Sequence, residues 1–388
     1  MRDLIERAAG EKKAFFAPNA NGIYPAVGRL GSTSVSGYQN AWLRDNVMVA
    51  FSRLETGDVD AAAACAHGLM RFVATQEQRF AAIIAQPFLK ETVGSRPHVR
   101  FAADTLTELP GTWSHAQNDA LGYVLWFRAR LHNLGHSPLE DWERKLIQMF
   151  IRYFQAIRYW EDPDSGAWEE SRKVNSSSVG AVLAGLAEAK LTGADVADSL
   201  IASGRDLLAR QLPLESPGLR GADAAMLFLV YPLEVVNDPP TRDMIVHLIQ
   251  ARLEGEMGIR RYVGDSYFCQ DYDRWFPPEL RTIDWSERIA VRDAYLQPGC
   301  EAQWCLFDSL LSVIFGRLYK DRQQQARYLE RAIAQLTPAR DCPELYFLKH
   351  GHWAPGPNTP LLWAEANLSL ALYEAHRNPA PLHPSSKS

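Results

Sequence analysis

Two kinds of helical segment alternate along this chain. Apolar residues recur at i, i+3, i+4 and i+7 over roughly 45–56, 58–78, 117–134, 138–159, 175–191, 194–211, 221–231, 240–255, 300–318, 322–336 and 360–377, the spacing of helices with a buried face. Some, such as VGAVLAGLAEA (179–189) and CLFDSLLSVIFG (305–316), are apolar nearly all round, as a helix enclosed on every side must be. Those that follow, such as DRQQQARYLERAIAQL (321–336), are charged on one face and suit an outer layer. The pattern predicts an all-α fold, a closed toroid of helical hairpins with inner helices ringed by outer ones. No period of 30–45 residues recurs, which disfavours an open repeat array. Residues 1–40 read as a short helix and a hairpin cover, 41–378 as one barrel, and 379–388 as a disordered tail.

The segments 80–116, 160–174, 256–299 and 337–359 are loops rich in Trp, Tyr, Asp, Glu, Gly and Pro, each leading into an inner helix. The inner helices of a closed ring all begin at one end, so these loops are expected to converge there. Composition narrows the chemistry. A net charge of −5 without a Lys/Arg run argues against a nucleic-acid partner, which needs clustered positive charge. No apolar run reaches the ~18–20 residues of a membrane span. The N-terminal MRDLIERAAGEKKAFF lacks the apolar stretch of a signal peptide, and a soluble, cytoplasmic protein is expected. Five scattered cysteines fit neither a disulfide framework nor a zinc ribbon. Metal-ligand spacing, a phosphate-cradling glycine loop and a dinucleotide fingerprint are all missing, so neither a metal nor a cofactor is expected.

Five loop clusters could carry chemistry. In AWLRDN (41–46), Arg44 and Asp45 follow Trp42; they could clamp sugar hydroxyls, or Asp45 could simply cap the helix. In TWSHAQNDALG (112–122), Trp113, Gln117 and Asp119 set a flat face among hydrogen-bonding groups. His115 has no Ser or Cys nucleophile motif beside it, which favours a binding or structural role. In GAWEE (166–170), Glu169 stands beside the indole of Trp168, where desolvation would raise its pKa toward that of a general acid; the pair Glu169-Glu170 could equally be surface charge. Arg261 and Tyr262 in IRRYVGDSY and Glu301 in GCEAQW could bind hydroxyls or order a loop. Glu344 in CPELYF precedes the last inner helix, which carries Trp363. Two well-separated carboxylates on converging loops, surrounded by aromatic rings, form the combination that glycoside hydrolysis uses.

In order along the chain, AWLRDN, TWSHAQNDALG, GAWEE with NSSSVG, RRYVGDSY, PELYF and PLLWAEANLSLAL resemble the motif series of the glucoamylases, glycoside hydrolase family 15. The likeness spans about residues 40–375 and is particularly close to the glucoamylase-like domain of phosphorylase kinase α and β subunits. The resemblance implies an (α/α)6 barrel that removes glucose from non-reducing ends with inversion, with a small oligosaccharide as substrate. On the matching positions it implies Glu169 as general acid, Glu344 as general base, Arg44 and Asp45 gripping the terminal glucose, Trp113 lining the site and Arg261 as a second sugar-binding arginine. Trp42, Gln117, Asp119, Trp168, Glu170, Tyr262, Glu301 and Trp363 complete the expected substrate contacts. Many glucoamylases carry Glu-Gln at the base; here Leu345 follows Glu344, as in the kinase-subunit branch. That branch leaves open a non-catalytic carbohydrate-sensing role. A uronide hydrolase or trehalase on the same barrel is disfavoured by WEE and PELYF.

Overall fold

The structure, a computed structural model, describes residues 17–28 and 37–377. In chain order the first half contains β1 (Ala41–Trp42), α1 (Leu43–Glu55), α2 (Val59–Ala74), α3 (Glu77–Ala85), β2 (Arg100–Phe101), α4 (Asn118–Asn133), α5 (Asp141–Ile157), α6 (Ser176–Leu191) and α7 (Asp198–Gln211). The second half continues with α8 (Leu227–Val230), α9 (Pro239–Leu253), α10 (Tyr272–Trp275), α11 (Ile289–Asp293), β3 (Gln303–Trp304), α12 (Leu306–Ile314), α13 (Arg322–Ala334), β4 (Leu345–Lys349), β5 (His352–Pro355) and α14 (Leu362–Arg377).

Contacts run from α1 to α4, α6, α8, α12, α14 and back to α1, closing an inner ring of six. Of these, α4, α6, α12 and α14 fall in the segments expected as inner helices after the long loops, and nearly every residue of α4 and α6 is buried. Outside them lie α2, α5, α7, α9 and α13, each following an inner helix in sequence. The chain is an (α/α)6 barrel. Its tightest inner seam joins α4 and α6, where glycine allows the backbones to meet. A Cβ on Gly122 would stand 2.6 Å from the Val182 nitrogen, and one on Gly185 only 2.8 Å from the Gly122 oxygen.

Several elements depart from the expected pattern. The segment 221–231 is a 3₁₀ turn over Ala224–Met226 followed by the single turn α8. Asp223 caps its start by accepting the Ala225 N–H. Pro232 forces Tyr231 into extended backbone and ends it. The segment 300–318 begins late, at Leu306, because Gln303 and Trp304 are drawn into a sheet. Strands β3, β4 and β5 form this small antiparallel sheet, with β4 and β5 joined through His350-Gly351, both at positive φ. No strand was expected there. Within the expected loop 80–116, α3 extends to Ala85 and a 3₁₀ turn covers Pro87–Glu91.

The expected N-terminal helix and the tail lie outside the described residues. Of the expected cover, Ala26 and Val27 donate to the carbonyls of Asn40 and Tyr38, and Leu362 donates to Ala26. Among the described residues no helix is long and apolar enough to cross a membrane, no group of His, Cys, Asp and Glu could hold a metal, and all five cysteines are free.

Candidate active site

The loops before the inner helices meet around one pocket. Tyr38 and Trp42 enter it ahead of α1, Trp113 ahead of α4, and Trp168 and Glu169 ahead of α6. The 256–299 excursion adds Arg261, Tyr267, Trp285 and Arg292, while Trp304, Glu344 and Trp363 line the remaining wall. Strand β2 braces the entrance: Arg100, opposite Trp42 in the ladder, lays its guanidinium 4.9 Å from the Trp42 ring and 4.1 Å from Trp113.

Glu169 ends a 3₁₀ turn, Gly166–Trp168, and has left-handed backbone at φ 58°. For a residue with a Cβ this costs about 1–2 kcal/mol, and such outliers gather at functional sites. The consequence is a change of direction. Trp168 lines the same pocket as Glu169 but donates its indole N–H to Asp223 at 2.8 Å, so its N–H does not serve Glu169. The indole that does is that of Trp42, which donates to Oε1 at 2.8 Å; Gln117 donates to the same oxygen at 3.0 Å. Arg44 stands 3.9 Å away, itself held by Asp119 at 2.7 Å and Gln117 at 3.1 Å. Burial pushes the Glu169 carboxyl above the ordinary range, with Arg44 and Gln117 opposing it. Asp45, half-buried on the first turn of α1, is pushed up to about 7 by burial, with Glu169 adding and Arg44 opposing.

Glu344 sits just before β4. Its backbone is fixed on both sides, donating to the Asn358 carbonyl and accepting the Cys305 N–H. Tyr38 donates to Oε1 and Asn358 to Oε2, both at 2.7 Å. Burial raises its pKa to about 7 against the pull of these two donors and Arg261. The side chain is 3% exposed, and the opening that remains faces the pocket.

Five residues expected to touch substrate lie behind this wall. Gln117 and Asp119 act through Glu169 and Arg44. Glu170, next to Glu169 but on the far side of the turn, accepts the Tyr262 hydroxyl on both carboxylate oxygens (2.7 and 2.6 Å) and pairs with Arg220, Arg261 and Arg292 at 2.8, 3.2 and 2.5 Å. Burial would raise the Glu170 carboxyl, but Arg261, Arg292 and Arg220 together hold it well below the ordinary range. Glu301 accepts the Gly264 N–H at 3.0 Å and faces Arg260 at 3.5 Å. Glu170, Tyr262 and Glu301 therefore order the wall and do not line it. His115 stacks on His98 at 3.8 Å, and burial lowers its pKa to about 2; it stays neutral.

Arg261 does reach the pocket. Asp265 grips its Nε and Nη2, each at 2.7 Å, and the rings of Trp168, Tyr267 and Trp304 stand 4.9–5.1 Å from its guanidinium. Tyr38, Tyr267, Trp285, Arg292 and Trp304 were not singled out from sequence. Tyr267 and Trp304 lie inside quoted motifs, RRYVGDSY and GCEAQW, so a signal existed for them. Tyr38 and Arg292 sit in segments without one.

A double ring of helices with its polar groups gathered at the loop-bearing mouth defines a class, the (α/α)6 barrels. The sequence model for "Glycosyl hydrolases family 15" matches residues 1–350, and the chain belongs to that family. A probable phosphorylase b kinase regulatory subunit alpha from Caenorhabditis elegans is 26% identical over 337 residues, 75% of this chain and 26% of the subunit. The chain thus spans about a quarter of the length of the kinase subunit it matches. A glycosidase with a glutamate-to-alanine substitution, solved in complex with glucose, superposes with a TM-score of 0.68 at 21% identity, covering 96% of this chain and 95% of that one. Glucoamylase from Saccharomycopsis fibuligera gives 0.65 at 13% identity, with 97% and 95% covered.

Proposed function

We propose that this protein is an α-glucoside hydrolase that releases glucose from the non-reducing end of short gluco-oligosaccharides with inversion. The observation that carries the reading is the pair Glu169 and Glu344. Both line one aromatic pocket, both have raised pKa values, and they arrive on loops preceding different inner helices. Glu169, its carboxyl pushed toward the protonated form by burial, gives its proton to the glycosidic oxygen. Glu344, oriented by Tyr38 and Asn358, takes a proton from the water that attacks the anomeric carbon on the opposite face. Inversion needs ~6.5–9.5 Å between the carboxyls to admit that water. The glucose complex of the similar glycosidase supports a glucosyl unit in the pocket.

The match to kinase regulatory subunits favours a second reading, a sugar-sensing domain that binds a glucosyl end without turnover. Proton NMR of the protein mixed with maltose, isomaltose and maltotriose separates the two. The hydrolase reading expects β-glucose as the first anomer released from at least one of them. Bound sugar with unchanged anomeric signals over days would establish the sensor instead.

The raised carboxyls also set a pH dependence. Glu344 works as a base only when deprotonated, so kcat/KM should fall about tenfold per unit as pH drops below about 7. Tyr38→Phe removes a donor that stabilises the carboxylate, and the acidic limb of the profile should move upward. An unmoved limb would mean that it belongs to another group.

A further inference from the structure

A second pocket adjoins the first and shares two lining residues with it, Trp113 and Asp284. Resting on the hydrolase reading above, we propose that Asp284 determines leaving-group specificity, accepting hydroxyl hydrogens from a neutral sugar or polyol that bridges the two pockets. Asp284 belongs to a turn that covers the mouth from the 256–299 excursion, and its neighbours Thr282, Ile283 and Trp285 also face the catalytic pocket.

The turn is braced on several sides. The Asp284 Oδ1 accepts the Ser286 N–H at 2.9 Å, and Ser171, two residues after Glu169, donates its hydroxyl to the Ser286 carbonyl at 3.1 Å. Arg281 donates to the carbonyls of Phe276 and Asp273, and the Trp285 ring packs 5.2 Å from Phe276. Its position is thus tied to the segment carrying the proposed acid. The second oxygen, Oδ2, has no hydrogen bond and no ion pair among the described residues, and the side chain is half-buried. A carboxylate with a free oxygen at the junction of two pockets is an acceptor in search of hydroxyls.

Charge decides the class of leaving group. The second pocket holds Arg96, Arg172 and Arg288, but Arg96 is engaged by Asp162 at 2.7 and 3.0 Å and Arg172 by Glu91 at 3.1 Å. Against the remaining Arg288 stand the carboxylates of Asp284 and Glu287, so an anionic leaving group gains nothing there. Ser114, Thr92 and Thr112 complete a lining suited to neutral hydroxyls.

The test compares a disaccharide, maltose or isomaltose, with α-glucosyl fluoride, which has no leaving-group sugar. Asp284→Asn keeps the Oδ1 acceptor of the turn and replaces the free oxygen by a donor; Asp284→Ala removes both. For each variant the ratio of kcat/KM on the disaccharide to that on the fluoride should fall by about 10- to 100-fold, the effect of one charged hydrogen bond. A ratio unchanged in both variants overturns the assignment, because a disturbed turn would lower both substrates together. Failure of the unmodified protein to hydrolyse the fluoride would instead refute the hydrolase reading itself.

Discussion

Glu169→Gln should lower turnover of a disaccharide by about 10²- to 10⁴-fold, the usual contribution of a positioned general acid, with little change in melting temperature. The side chain keeps its shape and still offers an oxygen to the Trp42 indole. Because burial already holds this carboxyl toward its neutral form, an uncharged replacement relieves desolvation and does not create an unpaired ion. Only the proton for the leaving oxygen is lost. Fluoride leaves without that proton, so α-glucosyl fluoride should recover most of its rate in this variant. Glu344→Gln should lose the fluoride reaction as well, because water must still be activated. The crossed pattern identifies acid and base separately. Disaccharide turnover near the normal rate in Glu169→Gln would remove Glu169 from the role.

The inner ring was legible because full burial leaves a mark on sequence. Ser176–Leu191 has almost no charged residue until Glu188 and Lys190, and that pattern does not depend on which helix lies opposite. Pairing choices left no such mark. Tyr38 donates to Glu344 across 306 residues, and nothing near Tyr38 in the chain announces it. Sheet formation at 303–304 depends on β4, some forty residues away, so helical periodicity from 300 onward overran the true start at Leu306. The Trp168-Glu169-Glu170 triplet shows the limit most directly. Adjacency suggests a shared environment, but the left-handed turn at Glu169 gives the three side chains three different hydrogen-bond partners. Candidate residue types were readable from composition; the direction each side chain takes was fixed by backbone geometry and distant partners.

Glu170→Gln should destabilise the protein by about 3–5 kcal/mol, the cost of leaving buried charges without their partner. Arg261 and Arg292, both nearly fully buried, lose the anion that joins them, and Arg220 loses its shorter carboxylate contact. With about 2.1 cal/mol/K of unfolding entropy per residue, a chain of 388 residues should melt about 4–6 °C lower. The effect carries a pH signature with a definite sign. The guanidiniums hold Glu170 below its unfolded pKa, so its stabilisation is present above the unfolded value of about 4.3 and is lost as pH falls toward the folded one. Glu344 works in the opposite sense: its raised pKa favours the fold at low pH, and that contribution is lost as pH rises through about 7. The melting-temperature gap between the parent protein and Glu170→Gln should therefore be widest near neutrality and shrink steadily below pH 4. Catalysis should suffer with it, since Arg261 and Arg292 line the pocket and hold their places through this carboxylate. A gap that stays constant from pH 3 to pH 8 would mean that Glu170 contributes by shape and hydrogen bonding through Tyr262, and that the arginines are held without its charge.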